Sequence, residues 1–212
     1  METGIDVSNT NFVSDSGLLN RATQLHFWKW AFSDLRDDDI KGIFAEWMVR
    51  ALLGLPFDSG RRVSWADWDI ALRQNTPQET HIEVKASAVW QSWKLVDVYG
   101  DHKSNVGPRA LNPNRIRFGG LCARGGDLDQ WTGKQRFKSD FYIFCMQTET
   151  DPTTWNAWNL AQWEFFMLSR QKLEDENVGS SVSLAWLRRQ HAGNKGMAAD
   201  EFQIYAKTTL GI

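Results

Sequence analysis

The chain has 212 residues, of which 42% are hydrophobic and 24% charged, a composition typical of globular rather than disordered proteins. Its formal net charge of −2 excludes a strong overall attraction to nucleic acid or to anionic membranes, but it is compatible with a local basic surface. The length predicts one domain over residues 1–212, with a core over about residues 21–170 and C-terminal helices over 183–210.

The cysteine usage and the N-terminal sequence predict a cytoplasmic protein. Cys122 and Cys145 are far apart and form neither a disulfide framework nor a zinc-ligand spacing. The first ten residues, METGIDVSNT, lack the basic and apolar regions of a signal peptide. The sequence contains no apolar run of the roughly 18 residues that a membrane span requires. We therefore expect a soluble protein without a membrane partner.

The N-terminal quarter predicts two helices. Residues 1–20 are polar and aperiodic and predict no regular element, whereas residues 21–35 predict a first helix. Residues 40–53 predict a second one, because their apolar side chains recur at i, i+3, i+4 and i+7. The three acids at 37–39 suit its N-terminus, where carboxylates cap free N–H groups. Gly54 marks its end.

Two short apolar runs follow, DIAL at 69–72 and HIEVK at 81–85, and a polar loop separates them. Strand side chains alternate between faces, so Glu83 and Lys85 point the same way. If the runs pair as an antiparallel hairpin, Asp69 is brought beside Glu83. Two carboxylates and one ammonium group would then converge on one patch.

The rest of the chain predicts further strands and two closing helices. Residues 86–93 either continue the strand or open a helix. DFYIFCMQ at 140–147 has the length and composition of a buried central strand, and 155–168 predicts a strand that ends at its last residue. Residues 183–190 and 200–210 predict helices. This order of elements favours an α/β or α+β fold around one mixed sheet.

Residues 94–138 form a basic segment. They contain nine Lys or Arg residues and four Asp residues, a net charge of +5 in a chain of net charge −2. This asymmetry is weak support for a surface that faces a polyanion. Arg115 and Arg117 alternate on the strand-like stretch RIRF and, with Lys94, are candidate nucleic-acid contacts. A solvated strand face explains the two arginines equally well.

The hairpin charges suggest metal chemistry. Two neighbouring carboxylates such as Asp69 and Glu83 repel each other unless a cation neutralises them, and Mg²⁺ typically takes one or two carboxylates together with water and phosphate oxygens. Such an ion activates water for phosphodiester hydrolysis. Lys85 can orient that water or stabilise the negative charge of the transition state. Glu46, in the second helix, is either a solvated glutamate or a further carboxylate of the site.

These residues resemble the motif of the PD-(D/E)XK, restriction-endonuclease-like nuclease superfamily. The resemblance rests on Glu46 in a helix, DIAL at 69–72 and IEVK at 82–85, and it covers residues 38–93, with 140–147 as a following core strand. It implies an α/β fold with a central mixed β-sheet flanked by helices. It also implies metal-dependent cleavage of phosphodiester bonds.

The resemblance also implies residue roles. The metal ligands that it implies are Asp69, Glu83, Val84 and Glu46. Lys85 corresponds to the catalytic lysine. Gln91 lies six residues further on, where some members place a glutamine that arranges the site or contacts the nucleic acid. The ion that it implies is Mg²⁺ or Mn²⁺.

One departure and one ambiguity accompany the motif. The proline of the family's name is absent, and Trp68 precedes Asp69. Asp67 shares a strand face with Asp69, since residues i and i+2 point the same way. We prefer Asp69 because the apolar triplet begins directly after it. The four histidines show no zinc spacing and are expected to be structural or exposed.

The sequence therefore predicts a Mg²⁺- or Mn²⁺-dependent nuclease that acts on nucleic acid, with DNA as the expected substrate, in restriction, defence or repair. The alternative is a catalytically inactive nuclease-like fold that serves as a nucleic-acid-binding or scaffolding subunit. Either function is compatible with a homodimer or with a subunit of a larger complex.

Overall fold

The computed structural model of the chain describes residues 11–14, 17–57, 67–90, 115–124 and 135–212. The described helices are α1 (Gln24–Ala31), α2 (Asp38–Leu53), α3 (Arg170–Asp175), α4 (Leu184–Arg189) and α5 (Ala199–Leu210). The described strands are β1 (Asn11–Ser14), β2 (Gly17–Thr23), β3 (Ile70–Leu72), β4 (Thr80–Ala88), β5 (Arg117–Phe118), β6 (Cys122–Arg124), β7 (Gln135–Phe137), β8 (Phe141–Gln147), β9 (Trp163–Ser169) and β10 (Val182–Ser183).

The centre of the fold is a four-stranded mixed sheet in the order β3-β4-β8-β9. Strand β4 pairs antiparallel with β3 and parallel with β8, and β8 pairs antiparallel with β9. Strand β3 is therefore an edge strand, whereas β4 and β8 are interior. The prediction of a fold with helices around a central mixed sheet is confirmed.

The sheet is buried on both faces. On the first face, alternate side chains of its strands pack against α2 and α5, and this cluster includes Phe44, Met48, Ile82, Ile143, Phe165 and Phe202. On the second face, the other alternate side chains pack against shorter elements, and this cluster includes Phe118, Phe144, Phe166, Leu173 and Leu187. The apolar run of β8 is explained by this double burial, since both of its faces lie in hydrophobic clusters.

Local sequence signals explain the bounds of α2. The side chain of Asp37 caps the helix by accepting hydrogen bonds from Asp39 N and Ile40 N. Gly54 ends it in the left-handed conformation, with φ of 73°. The helix begins two residues before the predicted start at residue 40, because the acids at 38 and 39 fit its first turn. These caps hold Glu46 near the middle of the helix.

The N-terminal region differs from the prediction. Residues 11–14 and 17–23 form the β1–β2 hairpin, although the polar sequence of residues 1–20 predicted no regular element. The first helix covers only residues 24–31 of the predicted 21–35, because the side chain of Thr23 caps it and the preceding residues pair as strands. Helix α1 has no buried residue.

The other predicted elements lie close to their expected places. Strand β4 extends to Ala88, so the chain after Lys85 continues the strand at least that far. Strand β9 begins at Trp163, after a short 3-10 helix, and ends one residue beyond the predicted end. Helices α4 and α5 match the two predicted closing helices. None of the helices in the described ranges is both long and apolar enough to cross a membrane.

Candidate active site

Asp69 lies immediately before the edge strand β3, level with Glu83 of β4. The pair of strands is antiparallel, with Ile70 opposite Ile82, and Asp69 N donates a hydrogen bond of 3.1 Å to Ile82 O. The carboxylate of Asp69 turns towards β4, where its Oδ2 accepts a hydrogen bond of 2.7 Å from Val84 N. The hairpin geometry that the sequence suggested is therefore present.

The carboxyl of Asp69 has an unusual electrostatic environment. Its pKa is raised to about 7, first by burial and then by the negative charges of Glu83 and Glu46, against the opposing effects of the Val84 N–H and Lys85. Coulombic effects of this kind require neighbouring charges. Asp69, Glu83 and Lys85 therefore lie together at the β3 edge, and the charge of Glu46 in α2 acts on Asp69.

Glu83 and Lys85 form a close, partly buried ion pair on the second face of the sheet. Lys85 Nζ lies 2.5 Å from Glu83 Oε1. In the parallel pairing with β8, Glu83 is level with Tyr142 and Lys85 with Phe144. The ammonium group of Lys85 therefore balances the charge of Glu83.

The oxygen donors of this region fit a hard divalent cation. The N–H of Val84 points to the β3 edge, and because both backbone polar groups of a strand residue point the same way, its carbonyl faces that edge as well. That oxygen and the carboxylates of Asp69 and Glu83 are the ligand types that Mg²⁺ and Mn²⁺ prefer. Glu46 is a further carboxylate nearby.

These donors do not form a complete metal-binding site in the described residues. Within the described ranges, no three His, Cys, Asp or Glu side chains are grouped closely enough to hold an ion. Lys85 contacts Oε1 of Glu83, and the Val84 N–H contacts Oδ2 of Asp69. Binding an ion through Oε1 of Glu83 would require that oxygen to release Lys85.

The structure distinguishes the two candidate acids, Asp69 and Asp67, by their exposure and position. The side chain of Asp67 is 66% exposed, and its Oδ1 lies 3.4 Å from Lys138 Nζ. Asp69, in contrast, is mostly buried and is level with Glu83. Of the two acids, Asp69 is therefore the one next to the Glu83–Lys85 pair.

The predicted nucleic-acid contacts are only partly described. Arg115 and Arg117 are exposed, and Arg117 donates a hydrogen bond of 2.8 Å to Ser181 Oγ. They lie at β5, which is next to β4. Gln91 and Lys94 lie outside the described residues.

The sequence did not predict the role of Tyr142, which lies beside the Glu83–Lys85 pair. The hydroxyl of Tyr142 accepts hydrogen bonds from Lys138 N at 3.0 Å and Ser139 N at 3.3 Å, and it donates one to Leu121 O at 3.1 Å. It thereby joins the turn before β8 to the turn after β5. A tyrosine inside the apolar run of β8 was the available signal, because a buried hydroxyl needs hydrogen-bond partners.

A pair of stacked rings lies at the start of β4. The rings of Trp68 and His81 stack at a centroid distance of 3.5 Å and an interplanar angle of 6°. His81 Nε2 is 2.8 Å from Glu79 Oε1. His81 and Glu83 are two residues apart in one strand and share a face. The stack therefore borders the acidic region, and Trp68 directly precedes Asp69 in the chain.

Comparisons of the chain with protein-family models, with curated proteins and with solved structures found no match.

Proposed function

We propose that this chain is a metal-dependent nuclease that hydrolyses phosphodiester bonds, with Mg²⁺ or Mn²⁺ as the cofactor and DNA as the substrate. The observation that carries the proposal is the position of the partly buried Asp69 carboxylate, level with the Glu83–Lys85 ion pair at the edge of the sheet. Burying acids in this way costs free energy unless a cation is bound. The donors present are all oxygens, which suits a hard ion.

Each residue of the site would have its own role in the proposed reaction. Asp69, Glu83 and the Val84 carbonyl would hold the ion, and Glu46 would contact it directly or through water. When bound, such an ion polarises the phosphate and lowers the pKa of a coordinated water. Glu83 would release Lys85 on turning to the ion, and the ammonium group of Lys85 would then stabilise the negative charge of the transition state or orient the attacking water. Asp69 keeps its orientation through the Val84 N–H.

The order of the elements supports a restriction-endonuclease-like core for this function. A helix with a glutamate, a short strand after an aspartate and a strand with Glu-x-Lys follow one another, and a parallel interior strand lies next to them. The proposal includes the biological setting that the motif implies, namely restriction, defence or repair of DNA in the cytoplasm.

The test is cleavage of plasmid DNA, of DNA oligonucleotides and of RNA, with and without Mg²⁺ or Mn²⁺. We expect metal-dependent cleavage that Asp69→Ala, Glu83→Gln and Lys85→Ala reduce by at least about 100-fold, since each removes a ligand or a transition-state charge. Absence of cleavage of every substrate by the wild type contradicts the proposal. Cleavage that survives Asp69→Ala or Lys85→Ala contradicts the residue assignment.

Lys172 and Glu176 provide a matched control. They form an exposed lysine–glutamate ion pair of 2.7 Å, and Lys172 belongs to α3, which follows β9 at the opposite edge of the sheet from β3. Lys172→Ala and Glu176→Gln change the same residue types as the site variants. We expect wild-type cleavage from both.

A scaffolding role is the second candidate, and an exposed aromatic cluster favours it. Trp47, Phe57 and Trp158 are 43%, 51% and 63% exposed. The ring of Trp47 lies 5.4 Å from that of Phe57 and 5.5 Å from that of Trp158. Exposed clusters of this kind often mark protein contacts.

Calorimetric titration with Mn²⁺ separates the two candidates. A nuclease binds Mn²⁺ in the wild type and loses that binding in Asp69→Asn. A scaffold shows no carboxylate-dependent binding. In the scaffold case, replacement of Trp158 by Ser would instead change the oligomeric state measured by light scattering.

A further inference from the structure

Two segments meet across the Glu83–Lys85 pair, and one ion pair joins them. The first leads into β3 and contains Asp67, and the second is the turn before β8 and contains Lys138. Lys138 Nζ lies 3.4 Å from Asp67 Oδ1. These segments adjoin the two strands that flank β4, since β3 and β8 are its neighbours in the sheet.

The backbone of Lys138 is fixed next to the site. Its N–H donates to the hydroxyl of Tyr142, and Tyr142 is level with Glu83 in the pairing of β4 and β8. The side chain of Lys138 is only 17% exposed and extends towards Asp67. A cation is therefore held on the same face of the sheet as Glu83 and Lys85.

A turn with two exposed glycines lies close to Lys85. The turn that Tyr142 joins to Lys138 contains Gly119 and Gly120, and both residues are exposed. Gly120 has φ of +67°, and a Cβ built on it would lie 3.6 Å from Lys85 Nζ. Because Gly120 has no side chain, the backbone of this turn can lie close to Lys85.

Asp67 is a replaceable partner for Lys138. Its side chain is two-thirds exposed, and its Oδ1 lies 3.4 Å from Lys138 Nζ, so the ion pair is long and accessible to water on the Asp67 side. A phosphodiester oxygen also carries negative charge and forms charge-assisted hydrogen bonds with lysine. Near a polyanion, Lys138 gains a phosphate contact, whereas Asp67 is repelled.

We propose that Lys138 is a substrate-positioning residue, which releases Asp67 and binds a phosphate of the nucleic acid next to the scissile one. The inference rests on the proposed nuclease function and names a phosphate subsite within it. Lys85 acts at the scissile phosphate, and Lys138 acts on the backbone beside it. Asp67 holds Lys138 in place before the substrate arrives and competes with the substrate for it.

The experiment compares Lys138→Met, Lys138→Arg and Asp67→Asn with the wild type in Mg²⁺-dependent cleavage of a DNA oligonucleotide. We expect Lys138→Met to raise KM about tenfold and to change kcat less than about twofold, because the lost contact is made equally in the ground and transition states. Lys138→Arg should restore most of the affinity. Asp67→Asn should lower KM by about two- to fivefold, because it removes a competing anion.

A second measurement separates a phosphate contact from a structural ion pair. The dependence of oligonucleotide affinity on salt, followed by fluorescence anisotropy without divalent metal, should become shallower by about one unit of slope in Lys138→Met. Lys172→Met, which breaks the exposed pair with Glu176, should leave both the slope and KM unchanged. A structural pair would instead lower the melting temperature equally in Lys138→Met and Asp67→Asn.

The outcomes distinguish this inference from the proposed function. If the wild type cleaves DNA and Lys138→Met keeps its KM and its salt slope, the phosphate subsite is wrong and the nuclease proposal stands. If the wild type binds the oligonucleotide without cleaving it and Lys138→Met weakens binding, the subsite stands and the nuclease proposal falls. If the wild type neither binds nor cleaves, both are wrong.

Discussion

At the residue scale, the protonation of Asp69 links stability to the site. Its pKa is raised to about 7 in the folded protein, mainly by burial, and its ordinary value is 3.8. When the pKa of an acid is higher in the folded than in the unfolded state, the free energy of unfolding is greatest at low pH, where the acid is neutral in both states. That contribution is lost as the pH rises through 7, because the buried carboxyl must then carry a charge.

Asp69→Asn tests this linkage in the metal-free protein. The amide cannot ionise, so the variant should unfold at a temperature about 5 °C higher than the wild type at pH 8, and the advantage should vanish near pH 4. Thermal unfolding followed by circular dichroism measures the difference. Asp67→Asn, at an exposed position, should show no such pH-dependent gain. A variant that is equally destabilised at both pH values would contradict the assigned environment of Asp69.

Metal binding should compete with the proton on the same carboxyl. Because ligands must be deprotonated, Mn²⁺ should raise the melting temperature of the wild type more at pH 8 than at pH 6. Asp69→Asn should lose this response at both pH values, whereas Glu176→Gln should keep it. An equal Mn²⁺ effect in the wild type and in Asp69→Asn would show that the ion binds elsewhere.

At the element scale, strand β8 supports the site as well as the core. Its apolar side chains lie in both hydrophobic clusters, yet the hydroxyl of Tyr142 holds two turns together through three hydrogen bonds. One of those turns contains Gly120, which lies close to Lys85, and the other contains Lys138. The position of the proposed phosphate subsite thus depends on one buried polar atom in a central strand.

Tyr142→Phe tests this dependence. The change leaves Leu121 O and the two N–H groups without their partner, which should cost about 1–3 kcal/mol of unfolding free energy. Because Lys138 would lose its anchor, we also expect KM for the oligonucleotide to rise. Urea unfolding and cleavage kinetics measure the two effects. Tyr205→Phe, on the exposed side of α5, should change neither, and a neutral Tyr142→Phe would remove the anchoring role.

At the scale of the whole molecule, aromatic side chains divide into a buried and an exposed set. Phe165 and Phe202 are fully buried and stack across the contact between β9 and α5, at a centroid distance of 4.9 Å. Trp30 of α1 is 81% exposed, and α1 has no buried residue. Stability should therefore depend on the layers around the central sheet and hardly on the exposed aromatics of α1.

Paired substitutions test this division. Phe202→Ala should cost about 3–5 kcal/mol, because it opens a cavity in the first cluster. Trp30→Ser should stay within about 0.5 kcal/mol of the wild type, as is usual for exposed positions. Chemical unfolding measures both changes. A large loss of stability in Trp30→Ser would mean that α1 is packed against another surface in solution.

Periodicity in the sequence was sufficient for most of the core elements. The stripe of α2, the apolar run of β8 and the closing helices were predictable because each buries a regular pattern of side chains. The β1–β2 hairpin was not predictable, because its apolar residues fall in adjacent pairs and do not alternate with polar ones. The bounds of α1 were wrong for a related reason, since pairing between strands decided where the helix begins.

By itself, the sequence determined which chemistry is available, namely acids and a lysine at spacings that put Glu83 and Lys85 on one strand face. It also favoured Asp69 over Asp67, and the structure places Asp69 beside Glu83. Only the tertiary structure decided how deeply Asp69 is buried and that Lys138 lies across from Asp67. The physical reason is that side-chain alternation is local, whereas burial and ion pairing depend on chain segments that are distant in sequence.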